Sequence, residues 1–394
     1  MKLPVFRYLL VKLASRCNLN CTYCYWFRDA TVYDTPPILT SEVEHAFLRK
    51  LESHVVAHEL DYFSLLFHGG EPLLFGKRRF ARLLSDLLKI EKRTGCAFKL
   101  SVTTNGTMID EQWAKLLRVA NVAVTLSVDG PKVIHDKARV DHAGRGSHDN
   151  VIHGLSELRH AGIEPGVLAV CDPRSDPQTI TTYFVNTLGI KHFDILMPDF
   201  NHNDSPLSIA PYYKRLFDLW YDDYSRRGVD VRTVRAMVKS LLGGDSAMES
   251  VGYGPILTVT MLTDGALEPL DVLRIAGSGA TRSKRNILDH TFQDVTTDSV
   301  WLEAFRASLN LCQTCRTCVY RQACGGGYLP QRWSTERRYD NPSVYCEDLK
   351  EIYGYIWSRI APEVEVVVNG RAIPLLEALS APSSPPATRA ETAV

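Results

Sequence analysis

"YLLVKLASRCNLNCTYCYW", residues 8–26, joins an apolar run to three cysteines that lie within eight residues, Cys17, Cys21 and Cys24. Apolar, β-branched runs of this length are typical of buried strands. Cysteines so close together make poor disulfide cross-links, because a short loop removes little entropy from the unfolded chain. Where thiols stay reduced, clustered cysteines indicate metal binding or catalysis. The stretch therefore predicts a strand that ends in a metal-binding loop.

Similar apolar runs recur at intervals that leave room for a helix between them. They are "YFSLLF" from Tyr62, "FKLSVTT" from Phe98, "VAVTLSVD" from Val122, "PGVLAVCD" from Pro165 and "HFDILMP" from His192. The intervening stretch from Ser41 is amphipathic, and Ser41 and Glu44 have the spacing of a capping box. This alternation predicts an α/β fold with a parallel sheet covered by helices, an open or partial (β/α)6 barrel. Ligands of such folds bind beyond the carboxyl ends of the strands, where the cysteine loop falls.

A chain of 394 residues exceeds the roughly 250–300 residues of a single core. "PYYKRLFDLWYDDYSRRG" from Pro211 predicts a long helix, and "ILTVTMLTDGALEPLDVL" from Ile256 predicts a hairpin that turns at Asp264-Gly265. The expected organisation is a barrel at 1–208, a helical bridge at 209–250, a smaller C-terminal α+β domain at 251–360, and a tail at 361–394 that is disordered from about 380.

The charge balance and the hydropathy pattern exclude several classes of partner. Lys+Arg and Asp+Glu number 45 each, so a surface for a polyanion such as nucleic acid is not expected. No window reaches the ~18 uninterrupted apolar residues of a membrane helix. The N-terminal stretch lacks the features of a signal peptide. We therefore expect a cytoplasmic protein without a nucleic-acid or membrane partner.

Three cysteines on one loop suit a cluster that needs a free coordination position. A [4Fe–4S] cluster normally takes four thiolates. With Cys17, Cys21 and Cys24 alone, one iron stays open, as the metal does in catalytic zinc sites. The alternatives are an unligated loop and a zinc site completed by a ligand elsewhere.

This C-x3-C-x2-C pattern, with the aromatic Tyr23 before the last cysteine, resembles the signature of radical S-adenosylmethionine (SAM) enzymes. The resemblance implies a partial (β/α)6 radical-SAM barrel with a smaller C-terminal α+β iron–sulfur domain. It also implies that the open iron binds S-adenosyl-L-methionine. The reduced cluster then cleaves this cofactor to a 5′-deoxyadenosyl radical, which abstracts hydrogen from the substrate.

Further motifs at successive strand ends resemble the cofactor-binding motifs of the same family. "HGGEP" matches the motif that binds the methionine amine, "TTNG" and "SVDG" offer polar contacts, Arg139 resembles the arginine that pairs with the cofactor carboxylate, and "LAV" resembles the strand along the adenine. Taken singly, each motif is also compatible with ordinary turn chemistry. Together with Tyr23, the implied cofactor-binding residues are Gly69, Gly70, Glu71, Thr104, Asn105, Ser127, Asp129, Arg139, Leu168 and Val170.

The late cysteines, in "CQTCRTCVYRQACGGGYLP" and "NPSVYCEDL", resemble the SPASM extension of peptide-modifying radical enzymes. The complete extension holds two auxiliary [4Fe–4S] clusters, but here Leu270 and Tyr328 stand where the family has cysteines. We therefore expect one auxiliary cluster and two clusters in total. A four-cysteine zinc site is the alternative. The expected ligands are Cys315, Cys318, Cys324 and Cys346, and Cys312 is a further candidate.

Asp271, next to Leu270, is the candidate general base, because an aspartate near the corresponding cysteine accepts a substrate proton in similar enzymes. A solvated or capping aspartate is its alternative, and His68 is expected to be structural.

The leading hypothesis is a maturase of a ribosomally made precursor peptide that forms an intramolecular C–C crosslink of the cyclophane type. The alternatives are a formylglycine-generating sulfatase activator, a thioether synthase, a peptide epimerase, a radical enzyme on a small metabolite and a non-catalytic zinc protein. The expected partners are the precursor peptide and an electron donor such as flavodoxin or ferredoxin.

Overall fold

A computed structural model of the chain describes residues 4–368 and 371–374. The expected disordered segment from about 380 lies outside these residues. No helix in the described part is long and apolar enough to cross a membrane.

Six parallel strands follow one another across the sheet in the order of the sequence, as predicted. Three further short strands extend this sheet at its two ends, giving the order β7-β6-β5-β4-β3-β2-β1-β8-β9. A separate pair, β10 and β11, is antiparallel. The strands are β1 (Tyr8–Ala14), β2 (Tyr62–Gly69), β3 (Ala97–Thr104), β4 (Ala123–Ser127), β5 (Gly166–Val170), β6 (His192–Leu196), β7 (Asp230–Val231), β8 (Thr260–Met261), β9 (Leu267–Glu268), β10 (Glu365–Val368) and β11 (Arg371–Pro374).

Helices cover the outer face of the sheet and bury its apolar residues. The helices are α1 (Ser41–Ala57), α2 (Lys77–Thr94), α3 (Glu111–Val119), α4 (Lys132–His135), α5 (His148–His160), α6 (Pro177–Thr182), α7 (Ala210–Asp222), α8 (Arg232–Leu241), α9 (Ser299–Leu309), α10 (Gln313–Arg316), α11 (Arg321–Cys324) and α12 (Cys346–Ile360). The predicted capping box of Ser41 and Glu44 is wrong, because the N-cap of α1 lies one residue earlier. Thr40 is the N-cap, and its hydroxyl accepts from the Val43 amide, so Ser41 is already helical.

Strand β1 illustrates how the sheet separates its two faces. Leu9, Val11 and Leu13 belong to the main apolar core, whereas Tyr8 and Leu10 line an internal cavity. Side chains alternate along a strand, so Lys12 also points to the inner side, where it pairs in register with His68 of β2. A fully buried lysine is thereby placed inside the barrel.

The segment predicted as a helical bridge is only partly helical. Helix α7 is followed by a 3-10 turn, Tyr224–Arg227, and this turn ends at Gly228, whose φ is +73°. Asp230–Val231 then forms β7, which pairs with β6, before α8 begins. The expectation missed this strand because two residues are too few to show a period.

The predicted hairpin is present and joins the C-terminal region to the sheet. Strand β8 lies parallel to β1 with Leu10 opposite Thr260, and β9 returns antiparallel to it. The turn contains Asp264 and Gly265, and the φ of Gly265 is +88°, which favours glycine. The proposed boundaries at 208 and 250 stay predictions.

A buried group of charges ties the cysteine loop to the C-terminal region. The Arg274 guanidinium, 2% exposed, donates from Nη1 to Asp29 at 2.6 Å and from Nη2 to Glu268. Its Cζ also lies 4.5 Å from the centroid of the Trp26 ring. Because Trp26 and Asp29 directly follow Cys24, Arg274 holds the end of the cysteine loop in place.

We expect Arg274→Met to lower the free energy of unfolding by about 3–5 kcal/mol, because Asp29 and Glu268 would stay buried without their cation. Arg282→Met is the matched control, since Arg282 pairs with Asp34 at the surface, where such pairs contribute about 1 kcal/mol or less. Urea denaturation of both variants measures the difference. Equal losses would show that the buried group does not stabilise the fold.

Candidate active site

The cysteine loop begins directly after β1, and its three thiols are half-buried. The Leu19 amide donates to Cys17 Sγ at 3.3 Å, and Asn105 Nδ2 lies 3.7 Å from the same sulfur. Asn105 Nδ2 also donates to Asn18 Oδ1 at 2.9 Å. N–H donors aimed at sulfur are the outer contacts that iron–sulfur ligands commonly have. Asn105, expected to contact the cofactor, therefore also holds the loop.

The electrostatics of the loop suit a positively charged group. Burial raises the pKa of Cys17 to about 12 and that of Cys21 to about 11, and it also raises the pKa of Cys24. Cys21 and Cys24 raise the pKa of Cys17, and Cys24 raises that of Cys21, so the three thiols lie close together. A bound metal favours the thiolate forms, so the residues fit a three-thiolate iron–sulfur site.

Gly69 and Gly70 lie where the end of β2 touches the cysteine loop. A Cβ at Gly69 would lie 2.2 Å from the Ala14 carbonyl oxygen, and one at Gly70 would lie 2.3 Å from that of Arg16. These glycines were predicted to let backbone approach the cofactor's ammonium. In the structure, Gly69 and Gly70 instead let the end of β2 pack closely against the backbone of Ala14 and Arg16.

The carboxylate of Glu71 joins the ends of β2 and β3. It is buried, and it accepts from the Leu73 amide at 3.0 Å, from Thr104 Oγ1 at 2.7 Å and from the Asn105 amide at 2.9 Å. Burial raises the pKa of Glu71 to about 7, although these donors oppose the rise. Both oxygens are therefore occupied by protein donors, which fixes Thr104 and Asn105 beside the cysteine loop.

We expect Glu71→Gln to lower the free energy of unfolding by about 1–3 kcal/mol, because an amide NH2 cannot accept from these donors and leaves one of them unpaired. Denaturation of the apoprotein measures this loss. Glu52→Gln, at an exposed pair with Arg93, is the control and is expected to change stability by less than about 1 kcal/mol. A Glu71→Gln variant as stable as the control would contradict the assigned role.

Asp129 is the centre of a second polar network beside the loop. Its Oδ2 accepts from Tyr23 Oη at 2.5 Å and from Arg139 Nε at 2.9 Å, and its Oδ1 accepts from the Val170 amide at 3.1 Å. Tyr23, Asp129, Arg139 and Val170, all predicted cofactor residues, are thus brought together. Ser127 lies opposite Leu168 in the sheet.

The four late cysteines of the predicted auxiliary site line one small pocket, Cys315, Cys318, Cys324 and Cys346. The Gly327 amide donates to the Cys324 carbonyl oxygen at 3.0 Å, and Gly326 and Gly327 both have positive φ. Within residues 4–368 and 371–374, no three His, Cys, Asp or Glu side chains are gathered as ligands of a single metal ion. Four cysteines around one pocket are the number of thiolates that a [4Fe–4S] cluster normally takes.

Cys312 differs from these four cysteines. It is 2% exposed and packs with Leu311 and Cys315 in a small apolar cluster. It is not among the residues that line the pocket.

The two positions that lack the family's cysteines are filled by apolar packing. Leu270 belongs to a cluster with Ile256, Leu273 and Leu329, and Tyr328 packs against it. Leu270 therefore offers no ligand to iron, and at the second position Tyr328, which also lines the barrel cavity, has a phenol in place of a thiol.

A cavity of about 710 Å³ occupies the inside of the barrel. Its wall includes Tyr25 from the end of the cysteine loop, Leu168 from β5 and Asp271 from the C-terminal region. Both the predicted adenine strand and the candidate base therefore face one space. His68, predicted to be structural, also lines this cavity.

Asp271 is held by a buried network at this wall. Its Oδ2 accepts from the Lys12 ammonium and from Tyr25 Oη at 2.6 Å. Burial alone raises the pKa of Asp271, but Lys12, His68 and Tyr25 lower it to about 2 overall. The prediction that Asp271 is solvated or a helix cap does not describe this buried ion pair.

Asp199 lines the same cavity in a different electrostatic setting. Burial and the nearby Asp271 charge raise its pKa to about 7, against the lowering effect of Arg28. Burial likewise lowers the pKa of His68 to about 4, and Lys12 adds to this effect. At neutral pH, His68 is therefore neutral and Asp271 is ionised.

The parallel barrel, with three thiols and a polar network at the carboxyl ends of its strands and a cavity inside it, has the arrangement of an iron–sulfur enzyme. Residues 11–173 match the radical SAM superfamily. The chain is a radical SAM enzyme. It uses S-adenosyl-L-methionine, a [4Fe–4S] cluster that binds it, and an auxiliary [4Fe–4S] cluster. This excludes the non-catalytic zinc protein.

Several characterised proteins are similar over almost the whole chain. A cysteine-type anaerobic sulfatase-maturating enzyme of Clostridium perfringens is 28% identical over 91% of this chain and 98% of its own length. The corresponding enzyme of Clostridium novyi is 26% identical over 88% and 94%. A solved structure of native anSMEcpe with bound AdoMet and Cp18Cys peptide has a TM-score of 0.77 at 25% identity and covers 90% of this chain and 97% of that one.

Sequence reasoning missed Lys12, Tyr25 and Asp199. Lys12 interrupts an otherwise apolar strand, "YLLVKLA", and a charge within a buried run is a recognisable signal of a buried partner. Tyr25 and Asp199 carried no comparable signal.

Proposed function

We propose that the enzyme is a maturase that oxidises one residue of a ribosomally made precursor peptide bound in the barrel cavity. The observation that carries the proposal is a cavity whose wall includes both Leu168, on the predicted adenine strand, and Asp271. Its volume suits a short peptide segment. The similar solved structure contains both AdoMet and a peptide, which supports a peptide rather than a small metabolite.

In this proposal Cys17, Cys21 and Cys24 hold the SAM-binding cluster, and the four cysteines of the C-terminal pocket hold the auxiliary cluster. When bound, these groups supply a 5′-deoxyadenosyl radical for hydrogen abstraction and an acceptor for one electron. Leu270 and Tyr328 pack without ligands, which supports a single auxiliary cluster. The electron donor is a small redox protein such as flavodoxin or ferredoxin.

The polar residues around the cofactor position it without taking part in bond breaking. The Tyr23–Asp129–Arg139 network presents a guanidinium for a carboxylate, since only Nε of Arg139 is engaged by Asp129. Asn105 and Glu71 fix the loop and the strand ends. Asp271, ionised at the cavity wall, takes a proton from the peptide.

For the bond that is formed, the relatives favour formylglycine over a crosslink. Two relatives that are similar over nearly their full length are sulfatase-maturating enzymes of the cysteine type, and a serine-type enzyme is similar over 81% of its length. For a cysteine substrate, a hydrogen atom leaves Cβ, the thiol proton passes to Asp271, and one electron leaves for the acceptor. Water then replaces sulfur and leaves an aldehyde. The cyclophane crosslink stays the second candidate, supported by the apolar filling around Leu270 and Tyr328, which departs from the complete extension.

The test is anaerobic turnover of the reconstituted, reduced enzyme with two kinds of peptide. A sulfatase-type peptide with a central cysteine is expected to lose sulfur and to react with an aldehyde probe. A peptide with an aromatic residue near the reacting residue would lose two hydrogen atoms without an aldehyde if crosslinking is the reaction. Release of 5′-deoxyadenosine with a small metabolite, and no change in any peptide, would contradict the maturase proposal.

A further inference from the structure

Lys12 forms the most completely buried ion pair of the cavity wall. Lys12 is 0% exposed and Asp271 is 2% exposed. Burying such a pair costs much of the attraction that it gains, so it is weak evidence for a stabilising role. A pair retained at the wall of a substrate cavity instead points to a role in the reaction.

The geometry of the carboxylate is asymmetric. Both protein donors, Lys12 Nζ and Tyr25 Oη, are on Oδ2. Within the described residues, no hydrogen bond reaches Oδ1, and Asp271 lines the cavity. Lys12 does not line the cavity, so it lies behind the carboxylate, while Oδ1 is free for a ligand in front.

The ammonium is fixed from several sides. Lys12 Nζ lies 3.2 Å from His68 Nδ1, which also accepts from the Gly69 amide at 2.9 Å. It lies 4.2 Å from the centroid of the Trp26 ring, within the range of a cation–π contact. These contacts hold the ammonium on the Oδ2 side.

We propose that Lys12 is a positioning residue that keeps Asp271 ionised and holds it by Oδ2, so that Oδ1 faces the peptide and accepts its proton. The inference rests on the proposed function. An O–H bond forms at Oδ1 as the proton leaves the peptide, and the bonding electrons stay with the peptide. Lys12 itself exchanges no proton.

Other titratable groups face Asp271 and set the background of any pH profile. Asp199 and Glu249 are acidic and oppose the ionisation of Asp271, and the Lys12 cation offsets their effect. The groups are Lys12 on β1, His68 on β2, Tyr25 after the cysteine loop, Asp199 after β6, and Tyr8, Glu249 and Tyr328 on the cavity wall.

The first test needs no cofactor and no substrate. In the wild type, Asp271 has a depressed pKa, so its contribution to stability is present above the unfolded value and is lost only as the pH falls toward about 2. In Lys12→Met the buried carboxylate loses its cation, its pKa rises, and stability falls as the pH rises through the unfolded value toward the new one. The apoprotein is unfolded by urea across this range, and Lys12→Met/Asp271→Asn is expected to lose this dependence.

The second test measures the reaction. We expect Lys12→Met to release 5′-deoxyadenosine at a rate similar to that of the wild type. Its rate of peptide modification is expected to gain an acidic limb, falling about tenfold per pH unit below the raised pKa of Asp271. Lys12→Arg is expected to keep the flat wild-type profile. Lys99→Met is the control, since Lys99 is an exposed lysine on β3.

Flat profiles of both stability and product formation in Lys12→Met would overturn the inference. If that variant does not fold, Tyr25→Phe, which removes only the other Oδ2 donor, is expected to show a smaller shift in the same direction, and an unchanged profile would overturn it. If the wild type modifies no peptide, the proposed function fails, while the urea experiment still decides the role of Lys12.

Discussion

Replacing Cys17, Cys21 and Cys24 together by alanine is expected to abolish release of 5′-deoxyadenosine and to lower the iron content from about eight to about four atoms per chain. Cys17 lies beside Asn105, and Cys21 lies near Asp129 and Arg139, so the variant removes the thiols at the centre of the polar networks. The fold is expected to persist, because the thiols are half-buried and belong to a loop. Anaerobic reconstitution, iron and sulfide analysis and chromatography of the reduced reaction measure both effects.

The matched control is Cys96→Ala. Cys96 is fully buried in the main apolar core, away from both cysteine groups, so the variant is expected to keep about eight irons and full 5′-deoxyadenosine release. If the triple variant behaves like this control, Cys17, Cys21 and Cys24 do not hold the cofactor cluster. A triple variant with about eight irons but no release would instead show that another group binds that iron.

The sequence predicts the barrel well because each of its first six strands is a buried run of at least five residues. Such runs read clearly, and β1 to β6 begin within one residue of their predicted starts. The hairpin of β8 and β9 was predicted from its Asp264-Gly265 turn, whereas the two-residue strand β7 is set by its neighbour β6 rather than by a pattern of its own. The cap of α1 failed for a similar reason, since Thr40 and Ser41 are both good caps and tertiary context selects between them.

Part of the site was predictable from motifs, but its hydrogen bonds were not. The motifs brought Tyr23, Asp129 and Arg139 to one edge, yet Asp129 uses both oxygens on protein donors. Lys12 and Asp271 are 259 residues apart in the chain. The pairing of β1 with β8 and the contacts of Arg274 with Asp29 and Trp26 bring them together, and no local pattern encodes such long-range contacts.

The C-terminal cysteines lead to the second large effect. Cys315→Ala/Cys318→Ala is expected to lower the iron content from about eight to about four atoms per chain and to abolish formation of modified peptide, while 5′-deoxyadenosine is still released. Both thiols line the same pocket as Cys324 and Cys346, so two ligands of one cluster are removed. The first cysteine loop is untouched, so hydrogen abstraction is expected to continue without the onward transfer of an electron.

Cys312→Ala separates ligation from packing in the same segment. Cys312 is as buried as Cys315 but does not line the pocket, so its variant is expected to keep about eight irons and to form modified peptide. If Cys312→Ala loses iron while Cys318→Ala does not, Cys312 is a ligand of the auxiliary cluster in place of Cys318. About twelve irons in the wild type would mean that a further cluster binds despite the apolar packing of Leu270 and Tyr328. The ratio of modified peptide to 5′-deoxyadenosine in Cys315→Ala/Cys318→Ala decides whether the auxiliary cluster carries the electron. If this ratio equals that of the wild type although four irons are lost, the cluster only stabilises the fold.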